Sequence, residues 1–182
     1  MRNIIKLSFS ILITVFVISC LSQQGDDFKE ISKIEKKMQG QRQDPVLAAK
    51  LDGAYKTFIQ KYPADTNVPR MLFEDAQLNI YPLNKKDDAL DQLSALYTKY
   101  PQNRYAPNAL FKSAYLNEKA QRFDKAKDQY LLFVKTYPTN ELASQAKILA
   151  SMTGLSEEEQ FKQIMSKQGA NRDSTKDPKK GQ

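Results

Sequence analysis

The sequence predicts an all-α protein built on a helix–turn–helix unit that recurs about three times. Two observations carry this reading. Tyr-Pro closes three segments, at Tyr62-Pro63, Tyr100-Pro101 and Tyr137-Pro138, spaced 38 and then 37 residues apart. Ahead of each Tyr, an apolar or small stripe recurs at i, i+4, i+7 and i+11: Leu51, Tyr55, Phe58, Tyr62; Ala89, Leu93, Leu96, Tyr100; Ala126, Tyr130, Phe133, Tyr137. That spacing is one face of an α-helix, and no segment alternates as a half-buried strand would. The proline then stops the helix, because it has no N–H to donate and pushes the preceding residue out of the α region. A period of 37 to 38 residues falls in the window of helical solenoids.

Residues 1–19 are expected to be a targeting segment and not part of the fold. "MRNIIK" carries two positive charges and "LSFSILITVFVI" is twelve residues without a charge. Such a run is too short to span a bilayer, which takes about twenty residues, so it reads as a secretory signal or a buried helix. Val17-Ile18-Ser19-Cys20 resembles the bacterial lipobox: an aliphatic residue, a tolerant position, a small residue, then Cys. The resemblance implies cleavage between Ser19 and Cys20 and lipidation of the Cys20 thiol, palmitate being one such chain. Cys20 is the only cysteine in the chain, so no internal disulfide framework competes for it. Two or three acyl chains, at about 0.8 kcal/mol per buried methylene, would hold the protein stably on a membrane. Leu21 after the Cys resembles lipoproteins sorted to the outer membrane, on its periplasmic face. Asp26 and Asp27 resemble the surface-export signal of some diderm lipoproteins and equally fit a solvated linker. Residues 20–27 are therefore expected to form the lipidated Cys and a tether.

The helical domain is expected over 28–166. "DDFKEISKIEKKM" sets Phe28, Ile31, Ile34 and Met38 near one face, a first helix. Asp44-Pro45 reads as cap and first-turn proline for the next. Six residues after each Tyr-Pro proline come Pro69, Pro107 and Ser144. A proline is tolerated there, in the first turn of a helix. Helices should follow through "MLFEDAQLNIY", "NALFKSAYLNEKA" and "QAKILASMTG". The one-residue difference in period falls in the loop "PLNKKDD", where Pro82 breaks the preceding helix. Ser156 and Glu159 form an S-x-x-E capping box ahead of Phe161, Ile164 and Met165, a C-terminal helix that caps the last repeat. Residues 167–182, polar with Gly, Asn, Pro and Lys, read as a disordered basic tail.

Leu110, Ala114, Phe123, Ala126, Tyr130, Phe133 and Pro138 resemble the tetratricopeptide (TPR) consensus at the same relative positions. With "FVKTYPTNELASQA" the chain is similar to bacterial envelope TPR lipoproteins. These include the TPR subunit of the β-barrel assembly machine and the periplasmic TPR protein that accompanies the Tol–Pal system. The resemblance covers about Pro45 to Gly154 and departs at Ser113 and Asn117, where the consensus prefers Leu and an aromatic residue. It implies a TPR-like α-solenoid of about three repeats whose first helices line a concave face. Arg70, Phe73, Gln77 and Ile80 fall on that face in one repeat, and Asn108, Phe111, Tyr115 and Glu118 in the next. These eight are the candidate partner-binding groove for an extended peptide or a partner helix. Phe73 and Phe111 equally fit packing between helices.

Composition narrows the alternatives. The 182 residues contain no His and no Trp, which removes His-dependent nucleophilic triads and His metal ligands. No phosphate-binding Gly motif occurs among the six glycines. No catalytic residue, metal ligand or cofactor is therefore assigned, and an enzyme is not expected. Of the formal net charge of +7, two charges come from Arg2 and Lys6 and a net three from the tail after Ser166, leaving +2 for 20–166. A nucleic-acid binder would gather its charge on a folded face, so no nucleic-acid partner is expected. Two classes remain: a lipid-anchored adaptor in the cell envelope, with outer-membrane protein assembly as its narrower form, and an envelope protein that binds a cell-wall or other small ligand. A flat groove favours the first, and a wide pocket with convergent charges favours the second.

Overall fold

A computed structural model describes residues 23–41 and 43–173; Ser19, Cys20 and residues 174–182 lie outside them. Every regular element among the described residues is an α-helix. They are α1 over 23–40, α2 (Pro45–Lys61), α3 (Val68–Ile80), α4 (Lys86–Lys99), α5 (Ala106–Lys119), α6 (Phe123–Thr136), α7 (Ala143–Met152) and α8 (Glu157–Asp173). The all-α class and the helix–turn–helix unit of a TPR-like solenoid are what the chain adopts. It divides into two compact units, with the boundary after Ala109 inside α5.

In the first unit, α1 sets Ile31, Ile34 and Met38 against Leu51, Tyr55 and Phe58 of α2 and Met71 of α3, all buried. Burying each of the larger side chains contributes about 1.5–3 kcal/mol. Phe28 joins them with its ring centroid 6.1 Å from that of Phe58. The α2 helix packs on α3 and α3 on α4. As expected, Pro45 opens α2 and the Asp44 carboxylate caps it, accepting from the N–H groups of Val46 at 2.9 Å and Leu47 at 3.1 Å.

One boundary differs from expectation. Residues 23–27, read from sequence as part of a tether, are the first turn of α1. Tertiary contacts explain the longer helix. Gln24 donates to Asp65 Oδ2 at 2.6 Å, and Asp27 Oδ2 accepts from Lys61 Nζ at 3.2 Å and from the Tyr62 hydroxyl at 3.0 Å. Hydrogen bonds from Gln23, Lys61 and Tyr62 hold the Asp27 carboxyl below its usual range. A polar sequence read alone gives no sign of these partners.

The three Tyr-Pro sites end their helices in one geometry. Tyr62, Tyr100 and Tyr137 have φ of −129°, −129° and −127° and ψ of 59°, 51° and 57°. Their N–H groups donate to the carbonyls of Phe58, Leu96 and Phe133 at 2.8, 3.0 and 2.8 Å. All three rings are half-buried, at the end of stripes whose other members are buried. The turn after each proline also repeats. Asp65, Asn103 and Asn140 use their side-chain oxygen to accept from the N–H two residues on, at 2.6, 3.1 and 3.0 Å. The repeated signal is thus Tyr-Pro-x-Asp/Asn, because these short side chains satisfy a turn amide locally.

The loop inside each repeat holds the one-residue difference, as the sequence implied. The Lys85 N–H donates to the Asn79 carbonyl at 2.6 Å, and the Arg122 N–H to the Asn117 carbonyl at 2.8 Å. The first connection spans one residue more, and it contains Pro82. Asn84 and Gln121 sit at the matching left-handed positions, φ 51° and 58°.

In the second unit α6 packs on α7. Ala126, Tyr130 and Phe133 of α6 and Ala146 and Ala150 of α7 are buried. Gly154 ends α7 at φ 84°, where a Cβ would stand 3.3 Å from Cβ of Phe123. A left-handed conformation and a crowded neighbour both call for glycine here. The capping box of α8 forms as predicted: Glu159 Oε2 accepts from the Ser156 N–H and hydroxyl, each at 2.8 Å, and the Glu159 N–H reaches Ser156 Oγ at 3.3 Å. Phe161, Ile164 and Met165 behind it are 63%, 41% and 51% exposed. The helix is present, but those three side chains are not buried on the last repeat. It also runs through Asp173, so the first seven residues of the expected disordered tail are helical.

Candidate functional site

The eight groove candidates occupy different environments in the two units. In the first, Phe73 is half-buried and its ring stacks on Tyr105 at 5.4 Å and 28°. Ile80, the last residue of α3, is half-buried, and Asn108 is exposed. Arg70 is tied to Glu35 of α1, its guanidinium 2.7 Å from Glu35 Oε1. In the second unit Phe111 sits edge-on to Tyr130 at 5.5 Å and to Phe133 at 5.6 Å. Those contacts make it a packing residue between α5 and α6. Glu118 accepts the Tyr130 hydroxyl at 2.9 Å. Tyr115 is exposed, with Lys119 Nζ 5.4 Å from its ring centre.

Arg70 and Gln77 do come together, in a cleft of about 720 Å³ within the first unit. Its walls are α1, through Glu35 and Met38; α2, through Leu51 and Tyr55; and α3, through Arg70, Glu74 and Gln77. Tyr81 and Pro82 also line it. Glu35 Oε1 also accepts the Tyr55 hydroxyl at 2.6 Å. Burial and the neighbouring Glu35 carboxylate push the Tyr55 phenol up, so it stays a donor. Desolvation opposes the Arg70 charge, and the Glu35 hydrogen bond more than restores it. Glu74 is different: half-buried, its carboxyl is raised by desolvation, with the Arg70 charge opposing and the Glu35 charge adding to the rise.

Sequence reasoning missed Glu35, Tyr55 and Glu74 as site residues. A signal for Glu35 was present. Ile31, Ile34, Glu35 and Met38 follow i, i+3, i+4, i+7, so a carboxylate occupies the apolar face of α1. A tyrosine inside the α2 stripe likewise demanded a partner for its hydroxyl.

A second group of polar residues is fully internal. Asp75, Asn79 and Gln92 are buried between α3 and α4. Gln92 Nε2 makes a very short hydrogen bond to Asp75 Oδ2. Asn79 Nδ2 reaches the Asp75 carbonyl at 3.0 Å, Gln92 Oε1 at 3.3 Å and Asp52 Oδ1 at 2.9 Å. Desolvation first, then the hydrogen bond and charge of Asp52, push the Asp75 carboxyl up to about 9. Asp52 stays ionised: burial opposes its charge, but Lys56 at 2.8 Å and Asn79 bring its carboxyl below the usual range. A carboxyl shifted so far marks a functional candidate on electrostatics alone. Its 0% exposure and wholly internal partners make it structural instead.

The second unit repeats the arrangement without a charge. Gln129 Nε2 donates to Ser113 Oγ at 2.8 Å, and Asn117 Nδ2 donates to Gln129 Oε1 at 2.8 Å and to the Ser113 carbonyl at 3.0 Å. Ser113 and Asn117, the two departures from the TPR consensus, are thus joined in a buried polar slot. Among the described residues no group of three acidic, His or Cys side chains could hold a metal ion.

Among curated proteins, none matches the chain. Residues 108–140 match the tetratricopeptide repeat family, a stretch that holds most of α5, all of α6, the Tyr137-Pro138 turn and the Ser113–Asn117–Gln129 slot. Repeats of this family generally mediate protein–protein interaction and typically form non-enzymatic scaffolds.

Proposed function

We propose that the protein is a lipid-anchored interaction scaffold of the bacterial cell envelope, held to a membrane through Cys20 and recruiting or bracing another protein with its helical repeats. The observation that carries the interaction half is the TPR match at 108–140, on a helix pair whose pattern recurs along the chain. The anchoring half is supported by Val17-Ile18-Ser19-Cys20 behind a basic and then apolar leader. Leu21 favours the outer membrane as destination. Participation in outer-membrane protein assembly is the narrower form, resting on resemblance to envelope TPR lipoproteins.

Metabolic labelling with a fatty acid tests the anchor. Wild-type protein should take label and fractionate with membranes. Cys20→Ala should be folded, unlabelled and released, and a labelled Cys20→Ala protein contradicts the anchor. Cross-linking in intact membranes tests the scaffold, with one protein captured reproducibly as the expected result. A chain that cross-links to no protein under the same conditions contradicts it. A second reading, an envelope protein that binds a small ligand, is favoured by one observation, the cleft with its converging Glu35, Arg70 and Glu74.

A further inference from the structure

We propose that the cleft of the first unit receives one basic side chain, Lys or Arg, from an extended segment of a partner protein, with Glu74 as its counter-charge. This rests on the protein-interaction reading above. Among the described residues three charged groups line the cleft: Glu35, Arg70 and Glu74. Two of them cancel, because Arg70 and Glu35 are paired at 2.7 Å and Tyr55 donates to the same carboxylate oxygen at 2.6 Å. The remaining charge is one carboxylate. Glu74 feels Arg70 through its charge without a hydrogen bond from it, and desolvation already works against its ionised form. Among the described residues no lysine lines the cleft to neutralise it.

The chemistry of the occupant follows. An anion would be repelled by the Glu74 carboxylate. An apolar group would strip more water from Glu74 and give nothing back, which is the costly way to bury a carboxylate. A cation supplies the missing partner through a charge-assisted hydrogen bond. Met38, Leu51, Leu78 and Pro82 give apolar wall for the methylene stem of a Lys or Arg. Tyr81, 64% exposed, also lines the cleft.

The test uses the full-length, isotope-labelled chain in detergent micelles and three capped peptides. The peptides are identical except for a central Lys, norleucine or Glu. The Lys peptide should shift the amide signals of Glu35, Glu74, Gln77 and Tyr81 and bind about tenfold tighter than the norleucine peptide. The Glu peptide should bind weakest. Glu74→Gln keeps the size of the side chain and should abolish the Lys preference. Glu158→Gln, on exposed α8, should leave it unchanged. Equal affinity of the Lys and norleucine peptides, or a Lys preference that survives Glu74→Gln, overturns the proposal. A cleft silent to all three peptides while cross-links to a partner persist overturns it alone, and loss of both overturns the interaction reading with it.

Discussion

Asp75, Asn79 and Gln92 in the first unit correspond to Ser113, Asn117 and Gln129 in the second, at shifts of 38, 38 and 37 residues. In both, an Asn amide bridges a Gln side-chain oxygen and the backbone carbonyl four residues earlier, at 3.3 and 3.0 Å in one and 2.8 and 3.0 Å in the other. In both, the Gln amide returns a hydrogen bond to the third member. That member differs. Ser113 accepts with a neutral hydroxyl, whereas Asp75 holds a proton because burial disfavours its charge and because Asp52, ionised and paired with Lys56 and Lys85 at 2.8 and 3.8 Å, lies against it. The comparison teaches which part of the slot the fold requires. The Asn–Gln pair joins the two helices of a repeat, and the third position can be ionisable or not provided its hydrogen bonds close.

The largest break in the comparison should come from the shared helix contact and not from the slot. Ala126 is fully buried where α6 meets its neighbours, and Lys125 beside it is exposed, about 100° round the helix. Ala126→Asp should cost about 4 kcal/mol, by burying an unpaired charge in a site sized for a methyl group. Lys125→Asp should cost only a few tenths. Urea melts of the two variants read the difference directly, and coincident midpoints would mean that the repeat register is misassigned.

Next come the two hubs. Asn117→Ala should cost about 2 kcal/mol, since it leaves Gln129 and the Ser113 carbonyl short of a donor. Asn79→Ala should cost more, because it also strips a hydrogen bond from ionised Asp52. Equal losses in paired melts would show that the Asp52 contact adds nothing. Among the buried polar contacts the smallest effect should be Tyr130→Phe, about 1 kcal/mol, which removes the hydroxyl from Glu118 and leaves the ring packed on Phe111. A loss as large as that of Asn117→Ala would place the Tyr130–Glu118 bond, and not the slot, at the centre of the second unit.

Much of this fold was legible in the sequence because it rests on local rules. The Tyr-Pro stops, the first-turn prolines at Pro69 and Pro107, the Asp44 and Ser156 caps and the extra residue beside Pro82 depend on neighbours a few positions away. The slot was not legible in that way. Its partners lie 12 to 17 residues apart, Asn117 with Gln129 and Asp75 with Gln92, and meet only once two helices pack. Read singly, Ser113 and Asn117 were departures from a consensus, and read together they are a satisfied pair. Of the groove candidates, Phe111 is a packing residue between helices and Arg70 is paired with Glu35 inside its own unit. Glu74, on the same helix, carried no pattern that distinguished it from a solvated carboxylate. The early start of α1 was hidden for the same reason, since Asp27 finds Lys61 and Tyr62 only in three dimensions.

The central claim is that one helical hairpin is used twice with two fillings of its polar slot, one holding a proton and one not. Carboxyl-carbon NMR of Asp75 across pH tests it most directly. A carboxyl raised from 3.8 to about 9 by folding contributes stability that is complete below 3.8, drains as pH rises, and is gone above about 9. Asp75 should therefore remain protonated at neutral pH and titrate near 9, and Asp75→Asn, which copies the protonated form, should flatten the decline in stability between those limits. Asp52 should stay ionised throughout that range. An Asp75 signal that titrates at the ordinary carboxylate value, with an unchanged pH profile in Asp75→Asn, would contradict the account.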